Sequence, residues 1–180
     1  MFQRLMDFDS RISRRVRLHQ DGSPAWKLAV FFAHSGDSWF WMAGLVVVWL
    51  FARGFWHNHT ALLAIGVGVL AVLVLAIKFT IRRQRPEGEW GAIYRNTDPH
   101  SFPSGHAARA AMLAVMAWGL GPAWFGWVVL IWAPLVSLAR VSTGVHYLSD
   151  ILAGWVLGVL AGFAMLAIAP LLVGWFPFLF

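Results

Sequence analysis

The sequence contains no cysteine, which excludes disulfides and thiolate metal sites and leaves the redox compartment open. It is also poor in charge. Lys, Arg, Asp and Glu make up 12% of the residues, against about 25% in an average soluble domain. With 59% apolar residues, so few charges cannot cover a water-facing surface. Acidic residues are the scarcest, 8 Asp and Glu against 14 Lys and Arg, for a formal net charge of +6. In a soluble protein that excess suggests nucleic acid. Here no basic surface domain is left once the apolar stretches are set aside. Anionic lipid headgroups or a phosphorylated substrate are therefore the expected partners, and nucleic acid is not. No cleavable signal peptide is evident, because the apolar run 28–33 after the N-terminal arginines is broken by His34 and Asp37. Internal repeats, linkers and a second domain are missing as well. The expectation is one membrane-embedded domain over 1–180, with 1–35 as an interfacial N-terminal region and 36–180 as a transmembrane core. No obligate protein partner is evident.

Apolar and aromatic material is abundant instead, with 12 Trp and 14 Phe. Trp is enriched where a bilayer meets water. Phe2, Leu5, Phe8, Ile12 and Val16 recur at spacings of three and four with arginines opposite, which predicts an amphipathic helix on the membrane surface. Gln20 to Pro24 is a turn, and the apolar stretch 26–33 is too short to span. Asp37 or Ser38 is suited to cap the next helix. Apolar helices are then predicted over 39–52, 61–77, 104–118, 123–139 and 147–169. Each approaches the roughly 20 residues of a span once its ends are counted. The expected fold class is all-α, a polytopic membrane helical bundle of about five transmembrane helices preceded by the interfacial helix.

Five spans put the N-terminus, the loop after the second span and the loop between the fourth and fifth on one side. Three charged blocks fall there, at helix ends: Lys78 to Pro86, Pro103 to His106, and Ala139 to Asp150. Topology therefore gathers Lys78, Arg85, Arg140, His106, His146 and Asp150 at one membrane face. Lys and Arg offer donors and no acceptors. Two arginines and a lysine converging on one point suit a phosphate, whose shape the guanidinium fork matches. Ser104 can cap the third span, leaving the N–H groups of Gly105 and His106 at its N-terminus as an anion site. Gly105 lacks a Cβ, so an oxyanion can come close. His146 and Asp150, four apart, share a helix face. A carboxylate on one ring nitrogen fixes the tautomer and frees the other nitrogen to attack. His106, at the anion site, is placed to protonate a leaving oxygen.

In this order, the three blocks resemble the signature of the type 2 phosphatidic acid phosphatase superfamily. Its pattern is Lys, six residues, Arg-Pro; then Pro-Ser-Gly-His; then Ser-Arg, five residues, His, three residues, Asp. The match falls on Lys78, Arg85, Pro86, Pro103, Ser104, Gly105, His106, Arg140, His146 and Asp150. Ala139 stands where the family usually has Ser, which removes one hydroxyl. The resemblance implies that His146 attacks phosphorus and becomes a phosphohistidine, that Asp150 orients it, and that His106 protonates the leaving group. It implies that Lys78, Arg85, Ser104, Gly105 and Arg140 hold the phosphoryl oxygens, with no metal and no cofactor. The family includes soluble vanadium haloperoxidases as well as lipid phosphatases, and the apolar spans point to the latter.

The expected substrate is a lipid phosphate in the bilayer, best an undecaprenyl diphosphate, because the loop 87–102 is too short to recognise an elaborate headgroup. Phosphatidylglycerophosphate, phosphatidate and the 1-phosphate of lipid A are the alternatives, as is phosphotransfer to a second lipid. A non-enzymatic lipid-binding or transport module is the remaining reading. The positive-inside rule puts the Arg-rich N-terminus, and the site with it, in the cytoplasm. Several of the counted charges belong to the site, however, and the bacterial relatives implied by the resemblance usually work on the outer face. The expectation is a multi-pass inner (plasma) membrane protein with its site at the outer, periplasmic face. Other residues read as bystanders. His57 and His59 lack a third metal ligand, His19 and His34 look interfacial, and His100 is near enough to touch a headgroup. Arg82, Arg83 and Arg95 read as membrane anchors or a second phosphate site. Arg109, one turn below His106, faces the site or another helix.

Overall fold

The computed structural model describes residues 2–87 and 98–180. Arg95 and most of the loop 87–102 lie outside the described residues. Seven α-helices are formed among them, in the order α1 (Phe2–Val16), α2 (Pro24–Ser35), α3 (Ser38–Phe51), α4 (Phe55–Ile81), α5 (Gly105–Leu120), α6 (Ala123–Ser142) and α7 (Leu148–Trp175). A 3-10 turn at Pro177–Leu179 closes the chain. The all-α bundle is as the sequence predicts. α4, α6 and α7 are long and apolar enough to cross a membrane. At 1.5 Å per residue they run about 40, 30 and 42 Å, against a hydrocarbon core of about 30 Å. The other two predicted spans, α3 and α5, have 14 and 16 residues. At about 21 and 24 Å they fall short of that thickness.

The surface of the long helices is hydrocarbon. Val69, Val72 and Leu73 on α4, and Leu152, Val156 and Leu160 on α7, are exposed. Such continuous apolar stripes are costly in water and suited to lipid. The opposite stripe of α7 is made of Gly154, Gly158 and Gly162, all buried. These glycines let α7 come against α5 almost backbone to backbone. A Cβ added at Gly158 would stand 2.0 Å from the carbonyl oxygen of Ala108, and one at Gly154 2.7 Å from that of Ser104. Small residues at such intervals are how membrane helices gain dispersion contacts when no hydrophobic effect drives them together. The approach sets the site as well, since it carries the N-terminus of α5 to the N-terminus of α7. There Ser104 N donates to Asp150 O at 3.0 Å.

α1 forms as predicted, but its docking is polar. Asp9 accepts from Ser149 N at 3.1 Å, Ser13 Oγ accepts from Leu148 N at 2.9 Å, and Leu18 N donates to Ser142 O at 2.9 Å. Phe8 is left exposed. The helix thus ties one face to the start of α7 and leaves an apolar side chain outward for the membrane surface. At the far end of the bundle, Trp49 Nε1 on α3 donates to Leu179 O at 2.8 Å, so the C-terminal turn lies away from Asp37 at the start of the same helix.

Gly158→Ala is expected to destabilise the detergent-solubilised protein by about 1–3 kcal/mol, the usual cost of overpacking, since the obstacle is backbone. Gly68→Ala meets nothing within 4 Å, and is expected to be neutral or to stabilise by up to about 1 kcal/mol through helix propensity. Thermal melts of the two variants check this. Equal melting points would mean that α5 and α7 are not held this close.

Candidate active site

The first two charged blocks are joined by the chain itself. Lys78 lies in the last turn of α4, which Arg82 terminates in the left-handed conformation, φ 54°. Past the gap in the described residues the chain returns alongside. Gln84 pairs with His100, and Ser101 N donates to Arg83 O at 2.8 Å. A cis peptide bond between Phe102 and Pro103 leads into Ser104, the N-cap of α5, whose hydroxyl accepts from Ala107 N. The third block folds on itself. Val145 N and His146 N both donate to Arg140 O at 3.2 Å, a turn that uses Gly144 at φ +73°. The end of α6 therefore brings His146 back over Arg140.

All eight sequence-predicted site residues meet at this end of the bundle. His146, in the loop before α7, is 1% exposed. Its Nδ1 faces Asp150 Oδ2 at 3.5 Å, about half an ångström longer than a good N–H···O bond. Its Nε2 faces Arg85, whose Nη1 lies 3.2 Å away and also donates to Val145 O at 2.9 Å. Arg140 stands within electrostatic reach of both His146 and His106. Burial, and then the charges of Arg85, Arg140 and Lys78, hold the His146 imidazole well below its ordinary pKa. It is therefore neutral at physiological pH, with a lone pair available. A narrow cavity of about 170 Å³ connects two kinds of wall. Lys78, Gly105 and His106 form the polar part, and Leu70, Ala71 and Val74 of α4 the apolar part. A second, more polar cavity of about 400 Å³ reaches His146 from the α1 side, past Ser13, Arg14 and Arg17.

Four further residues belong to this cluster. Asp98 bridges the cradle, its Oδ2 accepting from Lys78 Nζ and, at 2.8 Å, from Arg85 Nη2. Nothing in the sequence marks it, because it stands in a loop with no periodicity. Arg83, read from the sequence as an anchor or second phosphate ligand, is instead an internal tie. It donates to Asp150 Oδ1 and to Asp9 Oδ2, each at 2.7 Å, and lies over the Tyr147 ring. Its neighbour Arg82 is exposed and bonds locally, to Phe79 O at 2.8 Å. Asp37 does occupy the N-cap position of α3, yet makes no capping bond with its side chain. Its carboxylate is turned to His106 Nε2, 2.7 Å away. Arg109, singled out as a charge inside an apolar helix, does face the site, lining the narrow cavity and bonding Gly36 O and Ser38. Three other histidines are engaged elsewhere. His57 bonds Trp49 O at 2.8 Å, His59 sits among Phe55, Trp56 and Phe125, and His100 meets Phe79 edge-on.

The chain is 32% identical over 135 residues to an undecaprenyl-diphosphatase of Sulfolobus acidocaldarius, covering 73% of this chain and 64% of that protein. It is 36% identical over 101 residues to a decaprenylphosphoryl-5-phosphoribose phosphatase of Mycobacterium tuberculosis, covering 54% of each. The chain thus spans less than two thirds of the length of these curated relatives. The fold matches the crystal structure of a transmembrane PAP2 type phosphatidylglycerolphosphate phosphatase from Bacillus subtilis with a TM-score of 0.74 and 25% identity, over 92% of this chain and 86% of that one. The PAP2 superfamily model matches residues 59–173, a stretch that holds all three charged blocks and the helices that converge on them, and the chain belongs to that superfamily.

Proposed function

We propose that this protein is a membrane lipid phosphatase that works through a phosphohistidine on His146. One observation carries the reading. The neutral Nε2 of a buried histidine opens into a cradle of Lys78, Arg85, Arg140 and the N-terminus of α5, and that cradle already holds a carboxylate, that of Asp98. A substrate phosphate takes the place of Asp98, its oxygens on the lysine, the two arginines and the N–H groups of Gly105 and His106. His146 Nε2 attacks phosphorus while the bond to the lipid oxygen breaks, and His106 delivers a proton to that oxygen. Water then attacks the phosphohistidine, His106 takes the water's proton, and inorganic phosphate and free His146 result. Asp150 sits on the Nδ1 side, where a carboxylate holds the tautomer that leaves Nε2 unprotonated. The cationic cradle stabilises the charge that spreads over the equatorial oxygens in flight.

The narrow cavity supports a lipid substrate, since its apolar wall on α4 leads from the cradle toward the exposed hydrocarbon face. Within that class we propose a polyprenyl diphosphate, undecaprenyl diphosphate in the first instance, with the polyprenyl monophosphate as leaving group. The short loop over 87–102 and the undecaprenyl diphosphate in the name of the first relative support it, and the name of the second supports the polyprenyl tail alone. The site is proposed at the outer face of the plasma membrane.

Purified protein offered undecaprenyl diphosphate, phosphatidylglycerophosphate, phosphatidate and a lipid A 1-phosphate is expected to release phosphate fastest from the first. His146→Ala is expected to lose at least about 10³-fold on every one of them. A clear preference for a glycerol or sugar headgroup overturns the substrate, and an active His146→Ala overturns the mechanism. Phosphate released only in the presence of an acceptor lipid would indicate a transferase instead. Asp98→Asn removes the internal competitor for the cradle. Vanadate, which adopts the five-coordinate geometry of the phosphoryl group in flight, is expected to inhibit that variant at roughly 5–10-fold lower concentration, the scale of one displaced charge-assisted bond. Unchanged inhibition would mean that Asp98 does not compete. For sidedness, a reporter fused after Phe180 is expected to be cytoplasmic; a periplasmic reporter reverses the orientation.

A further inference from the structure

A second carboxylate–imidazole pair stands at the narrow cavity, on whose wall His106 lies. His106 Nε2 lies 2.7 Å from Asp37 Oδ1, and the other oxygen of the same carboxylate meets His34 Nδ1 at 3.1 Å. The two partners belong to different elements, His106 to α5 and Asp37 to the α2–α3 turn. A carboxylate at a helix N-cap ordinarily turns to the N–H groups of the first turn, where it is worth about 1 kcal/mol. This one forgoes that bond.

The surroundings account for the choice. Arg109, buried one turn below His106, donates from Nε to Gly36 O at 3.1 Å and from the rest of its guanidinium to Gly36 O and the Ser38 hydroxyl. It therefore grips the chain on both sides of Asp37. Gly36 permits the close approach: a Cβ there would stand 2.7 Å from Val136 Cγ1 and 3.0 Å from His106 Cδ2. The charged and titratable groups around the pair are Arg109 on α5, Arg140 on α6 and His34 on α2. Burial alone would raise the Asp37 carboxyl, but the hydrogen bonds to His106 and His34 outweigh it and hold it at about 2. Asp37 is thus ionised throughout the working pH range.

We infer that Asp37 is the positioning residue of the leaving-group acid. Held at Nε2, the His106 ring keeps one orientation, and Nδ1 is the nitrogen that gives and takes the proton. The negative charge also works against burial and against the charges of Arg140 and Arg109, all of which disfavour the imidazolium needed for the first step. In that step the Nδ1 proton goes to the lipid oxygen as the P–O bond breaks. In the second the same nitrogen recovers a proton from water as the N–P bond breaks, so no other acid or base is consumed. The inference rests on the phosphohistidine reading above and adds a residue that the three sequence blocks do not contain.

Leaving-group dependence tests it. Phosphoenzyme formation is timed in single turnovers with an alkyl phosphate, whose alkoxide needs a proton, and with nitrophenyl phosphate, whose phenolate does not. Asp37→Asn is expected to slow the alkyl ester at least about 10-fold more than the aryl ester, as loss of general-acid assistance does. Asp37→Glu is expected to restore part of the difference. The ratio of the two rates does not depend on the fraction of protein folded. Equal losses on both esters, or no loss, overturn the inference and make Asp37 structural. If Asp37→Asn does not fold, the comparison is made on Asp37→Ser, which also removes the carboxylate, with the same two outcomes. Wild type that forms no phosphoenzyme from either ester would sink the phosphohistidine reading itself, a distinguishable result.

Discussion

Burying several cations beside two histidines, at the end of a bundle whose outer surface is hydrocarbon, constrains the rest of this structure. Lys78, Arg85, Arg109 and Arg140 are each at most 5% exposed. An isolated charge in such a place costs several kcal/mol, so each needs anionic or carbonyl partners within reach. The chain has only 8 acidic residues. Four of them, Asp9, Asp37, Asp98 and Asp150, are placed in or around the site. The scarcity of charge in the sequence and its concentration at this one end are two sides of the same economy.

The pairing works only because the helices that carry it approach closely. The glycine stripe of α7 lets its first turn lie against the first turn of α5, where Ser104 N meets Asp150 O. With larger side chains on that stripe, the two N-termini would separate and the cradle would widen. The carboxylates have further supports. Asp150 is held by Arg83, which is itself held by Asp9 from α1. Asp37 is fixed by the grip of Arg109 on its two neighbours. His106 has a carboxylate hydrogen-bonded to one ring nitrogen, His146 has one facing its Nδ1 at 3.5 Å, and each carboxylate is steadied by an arginine from another part of the chain.

A site built this way suits an amphiphile. The narrow cavity has cations at one end and α4 aliphatic side chains at the other. A phosphate at the polar end leaves its tail directed toward the lipid-facing surface without leaving the bilayer. The same low-dielectric setting that makes an unpaired charge costly strengthens its attraction for an anionic substrate.

The sequence by itself determined the all-α membrane class, the helix boundaries near the charged blocks, and the eight residues that meet at the site. Hydrophobic periodicity, Gly and Pro punctuation and three short motifs are local signals, and they survive without knowledge of contacts. Tertiary structure decided what each remaining charge does. Arg83 reads as an anchor because a cation at a helix end usually is one, and only the arrival of Asp9 and Asp150 from distant segments makes it a tie. Asp37 reads as a cap because capping is the local use of an aspartate, and only Arg109 and Gly36 turn it to His106. Asp98 carries no local signal at all. α3 and α5 keep close to the lengths read from the sequence, 14 and 16 residues, and both are shorter than the hydrocarbon core is thick. A single chain read in order shows which groups are available; which of them touch depends on contacts between residues far apart in sequence, and those exist only once the helices have packed.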